Sequence, residues 1–329
     1  MFIARKGALA TFILKRSPLS AGEVASLEQT VERLQFELVH APGRTPLDNP
    51  YAQFASAPDP DAFIRDHDGD IGASTDDRPF FFYARQPLSD LFAVKLDRSL
   101  LFGTGADALR TLLVLSVLLV AVFIVLPLAW LSPEPLWHVG RSLAPLGYFA
   151  CLGAGFMMVE MGFLQRFVLF LGHPVYSLSV ILFSLLLGGG LGSAVSRRFG
   201  TSPGRALAVA LPAVIVAGVA YSLWVPSLFD AWIPLARPVR IVLAILLLLP
   251  MGVLLGVPLP SGVRLLGQRR PGLLAWAWGI NGAMSVLGAS CAVLVAMNWG
   301  FSAVALTGAA VYAVAGALAT IMGRQTAAD

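Results

Sequence analysis

The chain has 329 residues, of which 57% are hydrophobic and only 13% charged, and its mean hydropathy is +0.76. Soluble globular domains carry roughly 25% charged residues, so composition excludes that class and points to a bilayer. The charge is split along the chain: residues 1–110 hold 12 Lys+Arg and 15 Asp+Glu, residues 111–329 only 11 and 4. The first third thus reads as soluble and the rest as membrane. The net charge of +4 comes from arginines between apolar runs, and no basic run with interleaved aromatics suggests nucleic acid as a partner.

The basic start, Met1 to Lys15, has a short apolar run but no small-residue cleavage site, which argues against a signal peptide. Residues 8–14 (ALATFIL) predict a buried strand ending at Lys15-Arg16-Ser17-Pro18. Ser20 and Glu23 have capping-box spacing, and Val24, Leu27, Val31 and Leu34 recur at helical intervals, so a helix follows. Phe36 to Val39 predicts a second strand, closed by Ala41-Pro42-Gly43. This strand, helix and strand make an α/β unit of 43 residues, too small to be a domain and resembling the end of a larger one.

Residues 44–110 form a connector. Residues 44–75 are rich in Pro, Asp, Ala and Gly and predict a surface loop. Asp76, Asp77 and Arg78 then stand against four aromatics, Phe80 to Tyr83, which predicts a segment without helix whose rings pack on protein or membrane.

Residues 111–325 form the membrane domain. Seven apolar stretches, 111–131, 143–164, 175–195, 206–225, 239–259, 274–297 and 301–322, each approach the roughly 20 residues that cross about 30 Å of hydrocarbon. All seven tryptophans fall near span ends. Gly188 and Gly192, and Gly252 and Gly256, are four apart, a spacing that lets helices approach closely. The two cysteines, Cys151 and Cys291, lie in apolar runs as small hydrophobes. With seven crossings, eight arginines lie on the side away from the N-terminal region against six Lys+Arg on its own side, favouring a non-cytoplasmic N-terminus. A chain that turns back between Arg166 and Pro174 instead gives a cytoplasmic one, the orientation adopted here.

Glu160 is the only acidic residue inside any of these spans. Such a group costs about 2.5–3.5 kcal/mol to insert and needs polar company, which makes it a candidate cation or proton site or an interhelical hydrogen bond. Gln165, Asn281, Ser285 and the backbone near Pro258 are its candidate partners. Arg166, six residues on, lies on another helix face, so a direct pair within one straight helix is not expected. His173-Pro174 ends one span, where the lone His reads as a helix-stop contact or a ligand, and Tyr176, also a candidate, begins the next. No nucleophile motif, phosphate loop or metal-ligand spacing occurs.

Three stretches, Gly155–Phe167, Leu171–Tyr176 and Ala275–Ala283, resemble the C-terminal membrane region of bacterial spermidine-synthase-like integral membrane proteins. Thr75–Phe80 is similar to the segment that joins soluble and membrane domains in that family. The resemblance implies a multi-pass protein of the bacterial inner membrane, with lipid as partner. It also implies a preceding Rossmann-like, methyltransferase-type domain, whose last strand-helix-strand residues 7–41 resemble. S-adenosylmethionine, or its decarboxylated form, is then the cofactor of a complete homologue. Here the glycine-rich loop for that cofactor is absent, so this chain is expected to hold no cofactor and to anchor or serve a transferase domain borne by upstream polypeptide. A cation-binding or transport bundle centred on Glu160, for a polyamine or a proton, and a purely structural anchor are the competing expectations.

Overall fold

A computed structural model of the chain describes residues 1–7, 9–43, 53–54, 57–66, 72–80, 105–131, 139–199, 202–268 and 270–328. The chain divides into two compact units, Met1–Ala73 and Ser74–Asp329.

The first unit is a three-stranded sheet with one amphipathic helix. Its strands are β1 (Phe2–Lys6), β2 (Leu9–Ile13) and β3 (Glu37–His40), with helix α1 (Ala21–Arg33) joining β2 to β3. The sheet order is β2-β1-β3, and β1 pairs antiparallel with both neighbours, so β2 and β3 run the same way on either side of it. This corrects the expected strand content in two ways. Phe2–Lys6, read from sequence as a basic start, is the central strand and buries Phe2, Ile3 and Ala4. The ALATFIL run, read as buried, is instead an edge strand that leaves Leu9 and Phe12 exposed. The predicted helix forms as written. Ser20 Oγ accepts from the Glu23 N–H and the Glu23 carboxylate accepts from the Ser20 N–H, completing the capping box. Val24, Leu27 and Val31 turn towards the Phe2, Ala4 and Ala41 core. The 44–75 region contains a short helix, α2 (Pro60–Asp66), where a loop is predicted; Asp59 starts it by accepting from the Asp61 and Ala62 N–H groups.

The second unit is a helix bundle. Its elements are α3 (Gly105–Val120), a π-helical turn (Ala121–Val125), α4 (Leu126–Leu131), α5 (Val139–Leu171), α6 (Pro174–Ser196), α7 (Pro203–Trp232), α8 (Arg237–Gly256), α9 (Pro258–Gly267), α10 (Leu274–Trp299) and α11 (Phe301–Ala328). Seven helical segments among the described residues are long and apolar enough to cross a membrane: 108–131, 140–171, 174–196, 203–232, 237–267, 271–299 and 301–324. The chain is thus a mainly α, multi-pass membrane protein, and apolar side chains over its surface are compatible with a lipid partner.

The span count is as expected, but several helices run beyond the predicted limits. Arg166, counted from sequence as a loop residue, lies inside α5, which continues straight to Leu171. Between α5 and α6 the chain turns at Gly172-His173: Gly172 in the left-handed region ends α5, and His173 caps α6, which like α5 is long and apolar enough to cross a membrane. Trp276 is buried, contrary to an interfacial role, whereas Trp130, Trp224, Trp278 and Trp299 are exposed. Trp137 lies outside the described residues.

Two devices hold the bundle's form. The glycines at 188, 192, 252 and 256 put α6 and α8 in backbone contact: a Cβ at Gly188 would stand 2.6 Å from the Leu249 carbonyl oxygen and 2.9 Å from the Gly252 Cα. Arginines close helix ends: Arg240 donates to the Phe170 carbonyl at 2.6 Å and Arg264 to the Ser196 carbonyl at 2.8 Å, supplying donors and positive charge to the C-termini of α5 and α6. The fifth span breaks at Val257, between α8 and α9, where Pro258 cannot donate; the buried Tyr148 hydroxyl of α5 donates to the Pro258 carbonyl at 2.8 Å.

Candidate functional site

The strongest polar constellation forms where the connector meets the bundle, and it is organised by Asp77. Thr75 to Arg78 closes a tight turn, in which the Arg78 N–H donates to the Thr75 carbonyl and hydroxyl. That turn delivers Asp77 to the junction of α10 and α11. Gly300 ends α10 with φ +88°, a left-handed conformation that suits glycine, and a Cβ there would run into the Asp77 carboxylate. The Phe301 N–H donates to the Asp77 carbonyl at 2.9 Å, and the Ser302 N–H donates to Asp77 Oδ1 at 2.8 Å. Asp77 therefore caps α11 across 225 residues of sequence, with its negative charge at the positive end of the helix.

Arg166 completes the node from α5. It is 9% exposed, and its Nη2 donates to Ser302 Oγ at 2.6 Å while Ser302 Oγ donates to Asp77 Oδ1 at 2.7 Å. Nη2 lies 3.9 Å from Asp77 Oδ1, and Nη1 donates to the Ser222 carbonyl of α7 at 3.4 Å. The guanidinium thus faces a carboxylate brought from elsewhere, and it forms no ion pair with Glu160, in line with their separate faces on one helix. Phe80 stacks on Phe301 with centroids 5.8 Å apart, so one connector ring packs on the bundle as expected. A cavity of about 280 Å³ opens beside the node. Asp76, Asp77, Arg166, Asp230 and Ser302 are its polar lining, and Phe170 and Phe229 are part of its apolar lining.

The other predicted residues do not converge. Glu160 sits mid-way along α5, half-buried, and makes no side-chain hydrogen bond or ion pair among the described residues. Its proposed partners are engaged elsewhere: Asn281 donates to the Phe149 carbonyl at 3.1 Å, Ser285 to the Asn281 carbonyl at 2.9 Å, and the Pro258 carbonyl is taken by Tyr148. Gln165 is half-buried and likewise makes no side-chain bond among the described residues. The expected Glu160 cluster is therefore corrected: residues 281 and 285 lie on α10 against the N-terminal half of α5, where Asn281 bonds across to the Phe149 carbonyl and Ser285 bonds within its own helix. His173 and Tyr176 do meet, ring to ring at 5.4 Å, but His173 Nδ1 accepts from the Val175 N–H and Tyr176 carries Arg237 over its face at 5.5 Å. His173 thus starts α6 as an N-cap, and Tyr176 takes a cation-π contact. Among the described residues no group of three or more His, Cys, Asp or Glu could hold a metal ion.

Sequence reasoning named Asp77 and Arg166 as separate candidates and missed Ser302, Ser222 and Asp230. The one local signal was the Trp-Gly-Phe-Ser junction at 299–302, where glycine marks a helix end. Comparison with protein-family profiles, curated proteins and solved structures gave no match.

Proposed function

We propose that the chain is the membrane part of a spermidine-synthase-like, transferase-type protein of the bacterial inner membrane, and that it anchors a soluble transferase domain. The observation that carries this reading is the Asp77 node. It fastens a connector to three separate helices, α5, α7 and α11, through one carboxylate, one guanidinium and one hydroxyl. A tether that only had to leave the bundle needs no such fixation. Edge strand β2 also supports the reading, because its exposed Leu9 and Phe12 and its side left unpaired among the described residues suit docking to further sheet. S-adenosylmethionine or its decarboxylated form is the cofactor of that transferase domain, and the described part of Met1–Ala73 has no strand-to-helix glycine turn to receive it.

The test uses membranes that carry the chain alone or joined behind a soluble transferase domain, assayed with labelled S-adenosylmethionine and its decarboxylated form. The chain alone binds and transfers neither. The joined form transfers in the membrane fraction, and Asp77→Ala exposes the connector to protease. Saturable micromolar cofactor binding by the chain alone overturns the reading.

A second reading, binding or transport of an organic cation or a proton, is favoured by Glu160, whose carboxyl is unspent among the described residues. Uptake of labelled polyamine by vesicles holding only this chain, abolished by Glu160→Gln, would select it over the anchor.

A further inference from the structure

A second cavity, of about 530 Å³ and partly open, lies among α5, α6, α8, α9, α10 and α11 and shares no lining residue with the one at the Asp77 node. Pockets of this size accommodate a ligand rather than a few waters. Leu152 and Phe156 of α5 and Leu255, Leu259 and Val263 of α8 and α9 make its walls mostly apolar. One charged group reaches it, Arg264. The guanidinium has no carboxylate within 4.0 Å among the described residues, and its bonds to Ser196 and Ser261 all leave from Nη2. Nε is buried without a partner. A cation inside a bundle is expected to meet an anion or several acceptors, so half of this guanidinium is unspent.

Tyr312 provides an independent sign. Its side chain is 1% exposed and lines the same cavity, yet its hydroxyl makes no hydrogen bond among the described residues. Buried hydroxyls normally find a partner, and this side chain is part of the cavity wall. Depth identifies the occupant. Arg264 lies three residues before Gly267, the end of a 31-residue span, about 5 Å along the axis. That is headgroup depth in a bilayer, whereas the apolar walls extend towards the hydrocarbon.

We propose that this cavity binds an anionic phospholipid, with the phosphate at Arg264 and acyl chain along the apolar walls beside Tyr312. The site is separate from the Asp77 node and does not depend on the anchoring reading.

The chain, purified in neutral detergent and stripped of lipid, is titrated with phosphatidylglycerol, with phosphatidylcholine of the same chains, and with inorganic phosphate. Melting temperature and native mass spectrometry are the readouts. Phosphatidylglycerol gives a saturable rise and a one-to-one adduct, and the other two do not. Tyr312→Phe weakens phosphatidylglycerol binding about fivefold, the worth of one hydrogen bond. Arg264→Met removes the preference for phosphatidylglycerol over phosphatidylcholine, measured within the variant so that any loss of the α6 cap cancels. Gly189→Leu fills the cavity: Gly189 lines it, and a Cβ there meets nothing within 4 Å, so the adduct is lost while the lipid-free melting temperature holds. Equal effects of both phospholipids, an equal effect of phosphate alone, or unchanged binding by Tyr312→Phe and Arg264→Met would each overturn the proposal.

Discussion

Asp77 ties the connector to the bundle twice over: its backbone carbonyl accepts from the Phe301 N–H, and its carboxylate accepts from the Ser302 N–H and hydroxyl while facing Arg166. Asp77→Ala strips the α11 cap and leaves a nearly buried guanidinium short of its anion, and should cost about 2–3 kcal/mol. Asp77→Asn keeps one acceptor and should cost less; the order of the two melting temperatures in detergent checks this. Glu160 behaves differently. Because it has no hydrogen-bond partner among the described residues, replacing it leaves nothing unpaired, so both Glu160→Gln and Glu160→Leu should keep or raise the melting temperature. A marked fall with Glu160→Leu would reveal a partner formed in the bilayer. From sequence Glu160 drew attention because a charge in an apolar run is conspicuous. Asp77 drew less, since its importance comes from a partner 225 residues away.

At the scale of the element, the glycine spacing in α6 and α8 was legible because a four-residue period marks one helix face whatever the helix packs against. Which helix it packs against was not legible. Gly192→Leu would drive a side chain into the Val253 backbone and should lower the melting temperature sharply or prevent assembly, whereas Gly190→Leu, with nothing within 4 Å of its Cβ, should be almost silent. Helix α1 offers a pH test. The Lys15 ammonium, the Ser20 N–H and the Ser20 hydroxyl hold the Glu23 carboxyl down from 4.5 to about 2. A lowered folded pKa contributes stability that is present above the unfolded value and lost as pH falls through the folded one. Amide exchange in the first turn of α1 should therefore speed up, relative to Glu23→Gln, as pH drops from 4.5 towards 2.

For the whole molecule, the prediction is topological. Two full helical spans, α7 and the α8–α9 pair, separate Ser202 from Gln268, so cysteines placed at these positions should label from the same side of a sealed vesicle. Labelling from opposite sides would remove one crossing. Comparison with a cysteine at Ser20 then fixes the orientation that arginine counting left balanced between two topologies.

The membrane class, the number of spans and the capping box of α1 were determined by sequence alone, since each rests on local composition or a short fixed spacing: about 20 apolar residues per crossing, three residues from Ser20 to Glu23. The tertiary structure decided what depends on distant partners. It made Phe2–Lys6 the central strand, because a strand is buried by neighbours on both sides and not by its own hydrophobicity. It also extended α5 through Arg166, because Asp77, Ser302 and Ser222 converge there from a connector and two other helices to receive a charge that composition alone would place in a loop.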